Sequence, residues 1–119
     1  MGRVATTGPH HPLDQVKKLV AAGAFTVMKG RGLALLVPPL TYREAMSFVA
    51  VAIQMLTADN FSETVDLKYD TADVYGISIQ STGWYIKLCI DPDVPAVAVI
   101  SFHPPMYPMT TPAGVVNPP

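Results

Sequence analysis

The chain has 119 residues, half of them hydrophobic and 14% charged, with a formal net charge of −1. That length supports one hydrophobic core and excludes two, and the apolar fraction excludes wholesale disorder. The charge excludes a generic binder of phosphate backbones, which carries a basic excess, but it leaves room for one local basic site.

Residues 1–9 are polar and contain glycine, which predicts a mobile end. Residues 13–22 predict a short helix. Leu13, Val16, Leu19 and Val20 recur at helical spacing, Pro12 stands where a missing amide costs little, and Asp14 lies in the first turn, where the helix dipole favours an anion. Gly23 is placed to end that helix as a C-cap. Phe25-Thr26-Val27-Met28 reads as a strand and Lys29-Gly30-Arg31-Gly32 as a basic turn. The turn lacks the spacing of a phosphate loop and reads as surface. Residues 33–37 fit a second strand or a helical turn equally well. After Pro38-Pro39, Thr41 and Glu44 make a capping-box pattern that predicts a helix to about Leu56. Ala45, Met46, Val49, Ile53 and Leu56 form one face of it, and Phe48, Val51, Ala52 and Met55 fill much of the rest, so burial on most sides is expected.

Residues 57–60 read as a loop, and the second part of 61–69 as a strand, with Val65, Leu67 and Tyr69 alternating against Thr64, Asp66 and Lys68. Three further strands are expected at 74–80, 84–90 and 96–103. Ser81-Thr82-Gly83 supplies a tight connection between the first two, and Asp91-Pro92-Asp93 breaks the second from the third. On the middle strand Trp84, Ile86, Leu88 and Ile90 face one way, and Tyr85, Lys87, Cys89 and Asp91 the other. The apolar row requires a cover, which the preceding helices can supply. The other row puts a phenol and an ammonium on an outer face. The expected architecture is α+β: an antiparallel sheet of at least four strands, covered by two N-terminal helices, in a single domain of residues 1–104. Residues 105–119 are proline-rich without periodicity, a tail that either lies extended across the domain or is disordered.

Zinc spacing, nucleophile-elbow, Walker and dinucleotide motifs are all missing, so no metal and no cofactor is expected. The lone cysteine, Cys89, reads as a small strand residue and suits a reducing compartment. With no leader-like or bilayer-length apolar run, the expectation is a soluble cytoplasmic protein. The groups left to do chemistry are Glu63, Lys68, Tyr75, Tyr85, Lys87 and His103. His103 closes a hydrophobic strand before two prolines, where a ligand can reach an imidazole that exchanges protons near neutrality. The plainer reading is a histidine that closes the strand by a hydrogen bond to a neighbouring loop.

Three blocks of the chain resemble the MqsR family of toxins from bacterial type II toxin–antitoxin systems. They are PHHPLDQVKKLVAAG at residues 9–23, the Asp73-Val74-Tyr75 triplet, and Trp84-Tyr85-Ile86-Lys87-Leu88 followed by Val99-Ile100-Ser101-Phe102. The resemblance implies a RelE-like fold and a metal-independent endoribonuclease that cleaves mRNA and so inhibits translation and growth. It also implies a cognate antitoxin protein that covers the active face, and no membrane partner. Tyr85 matches the family's tyrosine. Glu63, Ala72 and His103 stand where the family carries lysine, glutamine and lysine, so a carboxylate and an imidazole replace two cations. The expected catalytic residues are His103, Tyr85 and Glu63, with Lys87, Lys68 and Tyr75 binding substrate. Two alternatives stand beside this: a catalytically inactive member kept as a binding or regulatory module, and a toxin with another target.

Overall fold

The computed structural model describes residues 2–4 and 8–119. Along them run β1 Gly2–Val4, α1 Leu13–Ala21, β2 Phe25–Val27, α2 Ala34–Leu36, α3 Tyr42–Met55, β3 Phe61–Asp66, β4 Thr71–Ile79, β5 Thr82–Asp91, β6 Ala96–His103, β7 Met109–Thr111 and β8 Gly114–Val116. Six of the strands form one sheet in the order β1-β3-β4-β5-β6-β2, and β7 with β8 makes a separate hairpin. The architecture is α+β with a sheet of more than four strands, as expected, but the sheet is mixed. Strands β3 to β6 pair antiparallel in succession, while β2 pairs parallel with β6. No hairpin joins β2 to β6. The chain enters β2 from α1, so a tight turn does not dictate its direction.

β1 extends the far edge of the sheet against β3, with Gly2 opposite Asp66 and Val4 opposite Thr64. The mobile end expected for residues 1–9 is therefore corrected at 2–4, where β3 supplies ladder partners that no local pattern announces. Met1 and residues 5–7, which shared that expectation, lie outside the described residues.

Local signals set the two main helices. Helix α1 ends at Gly23 in the left-handed region, φ 78°, and the Ala24 amide returns to the Leu19 carbonyl at 2.8 Å. Helix α3 opens with the predicted capping box: the Glu44 amide donates to Thr41 Oγ1 at 3.1 Å, and the Thr41 amide donates to Glu44 Oε1 at 2.9 Å. Val16 and Val20 of α1 and Ala45, Val49, Ala52 and Ile53 of α3 pack on Tyr75, Ile77, Ile86, Leu88, Val97, Val99 and Phe102. Each large apolar side chain so buried contributes about 1.5–3 kcal/mol. Helix α3 is less enclosed than its sequence suggests: Tyr42, Val51 and Met55 stay exposed, because the sheet and α1 cover only two of its sides. Among the described residues no helix is long and apolar enough to cross a membrane.

The β4–β5 connection is the two-residue turn Gln80-Ser81, at φ 50° and 70°, not Ser81-Thr82-Gly83. Both central residues take the positive φ that matches the strand twist of a short hairpin. Gly83 lies inside β5, and its lack of a side chain has another cause. A Cβ there would sit 2.8 Å from both the Asn117 carbonyl oxygen and Val116 Cγ1. Gly76 likewise makes room for Met109 and Val116, whose nearest atoms would lie 3.1–3.2 Å from a Cβ.

Those contacts belong to residues 105–119. The segment folds back as the β7–β8 hairpin over the sheet face that the helices leave open. Met109 and Val116 join Val65, Ala72, Val74 and Cys89 in a second apolar cluster. Ser62 Oγ donates to the Thr110 carbonyl at 3.0 Å, and the Ala113 amide donates to the Asp59 carbonyl at 2.9 Å. The face expected to be outer is thus half covered, and what stays uncovered is a cleft.

Candidate functional site

Two β-bulges aim side chains into that cleft. On β3, Phe61 lies opposite Tyr75 but Glu63 opposite Val74, so Ser62 is an extra residue. On β6, Ser101 lies opposite Lys87 but Val99 opposite Leu88, so Ile100 is extra. Each bulge reverses which face the following residues point to. Val97 and Val99 face the helices, yet beyond the bulge it is Phe102 that joins that core, while Ser101 and His103 line the cleft. Simple alternation would have sent Ser101 and His103 into the core. The β3 bulge does the same for Phe61, which packs on Tyr75 in the helix-side core, and for Glu63, which turns to the cleft.

The cleft encloses about 840 Å³. Its floor is one row across four strands, Glu63–Val74–Lys87–Ser101, with Tyr85 and His103 paired in the next row. Arg31 enters from one side, and Met106, Tyr107 and Thr110 of the C-terminal segment form the other. The Tyr85 and His103 rings stack with centroids 4.8 Å apart and planes 11° from parallel. His103 Nδ1 lies 2.8 Å from the Pro104 carbonyl oxygen. A carbonyl only accepts, so Nδ1 carries the proton and Nε2 is the nitrogen left to exchange one. Lys87 is 5% exposed. Burial holds its ammonium below the ordinary lysine range, the Arg31 charge pushes the same way, and Glu63 opposes both.

Of the residues expected to act, Glu63, Tyr85, Lys87 and His103 meet in this cleft. Lys68 and Tyr75 do not. Lys68 sits in the exposed β3–β4 turn with its ammonium 5.2 Å from the centre of the Tyr69 ring. Tyr75 points to the helix-side core, fully buried, and its hydroxyl has no hydrogen-bond partner. Its place on a strand buried on both faces gave no sequence cue to which side it would take.

Four lining residues carried little or no signal. Arg31 belongs to the basic turn read as surface. That turn is a single π turn over Lys29–Leu33, closed by the Leu33 amide on the Met28 carbonyl at 3.2 Å. Gly32 holds it down on the sheet, since a Cβ there would meet Val27 Cγ1 at 2.6 Å. Ser62 and Ser101 reach the cleft through the bulges, and Tyr107 through the folded tail, features that no short-range pattern marks.

Asp73, from the triplet that carries part of the family resemblance, has a structural place. It is wholly buried and accepts the His10 amide at 2.8 Å, the His11 amide at 2.7 Å and the Thr64 hydroxyl at 2.9 Å. It ties the segment before α1 to the sheet, on the face away from the cleft. Among the described residues no group of three or more His, Cys, Asp or Glu side chains is arranged to hold a metal ion.

Fold and site together define an α+β protein with a half-covered sheet and a cationic cleft that holds a carboxylate and an imidazole. Comparison with protein-family models and with curated proteins finds no match.

Proposed function

We propose that the cleft cleaves the phosphodiester backbone of RNA without a metal, by attack of a ribose 2′-hydroxyl on the adjacent phosphorus. The observation that carries the reading is the convergence of Glu63, His103, Lys87 and Arg31 on one cleft. Glu63 takes the proton of the 2′-hydroxyl as its oxygen bonds to phosphorus. The bond from phosphorus to the 5′-oxygen breaks, and that oxygen receives a proton from Nε2 of the His103 imidazolium. The products are a 2′,3′-cyclic phosphate and a 5′-hydroxyl, and the carboxylate and imidazole end with their protonation exchanged. Lys87 and Arg31 offset the charge that builds on the phosphoryl oxygens. Tyr85 holds the imidazole plane by stacking.

The resemblance to the MqsR family extends this reading to a RelE-like arrangement, to mRNA as the substrate, to growth inhibition and to an antitoxin that covers the cleft. The test is cleavage of a mixed mRNA pool by the purified chain in EDTA, with end-group analysis. Cyclic phosphate ends are expected, with a loss on the order of 10²–10⁴ in rate for His103→Ala. Cleavage abolished by EDTA and restored by a divalent ion, or full activity in His103→Ala, overturns the mechanism. RNA binding without cleavage would favour the inactive binding module instead.

A further inference from the structure

The pairing of Lys87 with Ser101 across β5 and β6 is hard to explain as architecture. Ser101 is 1% exposed, and its hydroxyl has no hydrogen-bond partner. Lys87 stands directly opposite, on the same face, almost as deeply buried. Burial and the Arg31 charge both disfavour its ammonium, and the Glu63 carboxylate favours it. A buried cation and a buried orphan hydroxyl each weaken a fold, and an alanine or valine in either place would pack without that penalty. Both side chains line the cleft, and the β6 bulge is what turns Ser101 toward it. The charged groups that face them are Arg31 and Glu63, so the local balance favours an incoming anion.

We propose that Lys87 and Ser101 form an oxyanion subsite, in which the ammonium and the hydroxyl donate to the two non-bridging oxygens of a phosphodiester. The subsite rests on the RNA-cleavage reading for the identity of the ester; the paired donors by themselves ask for an anion with two acceptor oxygens. The hydroxyl is a neutral donor beside a point charge, so together they orient the phosphate as well as attract it. Ser101 then sets which oxygens face the cations, and Glu63, along the row past Val74, and His103, one row beyond Ser101, are left to the 2′- and 5′-oxygens.

The experiment uses the intact chain and two probes: inorganic phosphate, followed by amide chemical shifts, and an oligoribonucleotide with one 2′-deoxy residue at the scissile position, followed by anisotropy. Phosphate is expected to move the Lys87 and Ser101 amides first. Ser101→Ala should bind both probes several-fold weaker, and Lys87→Met roughly tenfold weaker or more, as befits a lost hydrogen bond to a charged group. Both variants should melt no lower than the unmodified protein, which separates loss of binding from loss of fold. Undiminished phosphate binding in both variants overturns the subsite, even if RNA cleavage is intact. Phosphate binding that depends on Lys87 and Ser101, in a protein that leaves RNA uncut, upholds the subsite and removes the endoribonuclease reading.

Discussion

Replacement of Asp73 tests the account of how the N-terminal segment is held. The carboxylate accepts two backbone amides and one hydroxyl with no exposure to water. Hydrogen bonds to a charged group contribute about 1.5–3 kcal/mol each. The His10 and His11 amides are only partly buried and regain water when Asp73 is removed, whereas the Thr64 hydroxyl does not. Asp73→Ala is therefore expected to cost about 3–5 kcal/mol, less than the sum of three bonds. Unfolding entropy of about 2.1 cal/mol/K per residue over 119 residues converts that to a fall in Tm of roughly 12–20 °C. Asp73→Asn is the sharper variant. Its single carbonyl oxygen can keep the bonds made at Oδ1, to the His10 amide and Thr64, but its NH2 then faces the His11 amide, donor against donor. The flipped amide only moves the conflict to His10. Asparagine is thus expected to recover no more than about half of the loss. Thermal melts and hydrogen exchange at the His10 and His11 amides check this, and phosphate binding in the cleft of the folded variants should be unchanged. An asparagine variant that melts like the parent would refute the clasp.

Three further outcomes follow from residues on the two faces of the sheet. Tyr75→Phe removes a hydroxyl without a partner, so Tm should hold or rise. Burial raises the Tyr75 phenol pKa above its unfolded value near 10, so the unfolded chain ionises first and stability falls as pH climbs past about 10; the phenylalanine variant should lose that decline in melts between neutral and alkaline pH. For Lys87 the sign is opposite. Burial lowers the ammonium pKa, the unfolded chain binds more protons between that value and about 10.4, and stability rises with pH there. Lys87→Met should therefore melt higher than the parent at neutral pH, with the gap closing in alkali, and a lower melt at neutral pH counts against a burial penalty. Gly83→Ala should cost about 1–3 kcal/mol in overpacking, offset by roughly 0.5–1 kcal/mol from the stiffer chain. Its hydrogen-exchange losses should concentrate at 109–117, and unchanged protection there would show that the close approach of β8 to Gly83 is not what seats the hairpin.

The parts of this protein legible in the sequence are those that a few neighbouring residues decide. Thr41 and Glu44 cap each other across one helical turn, and Gly23 releases the chain from α1 because it alone there adopts a positive φ without strain. The alternation through β5 correctly divides Trp84, Ile86 and Leu88 from Tyr85 and Lys87, because β5 has no extra residue to disturb its period. That division alone brought Tyr85 and Lys87 to the right face. On β3 and β6 the period is broken by Ser62 and Ile100, and a bulge becomes visible only against the register of a partner strand. The facing of Glu63, Ser101 and His103 was therefore a tertiary decision. So was the fate of Tyr75, since β4 buries Val74 on one face and Tyr75 on the other, and nothing local says which cluster a tyrosine joins. The same holds for residues 105–119: a proline-rich sequence has little structure of its own, and the notch at Gly76 and Gly83, far back in the chain, is what gives Met109 and Val116 a surface to bury.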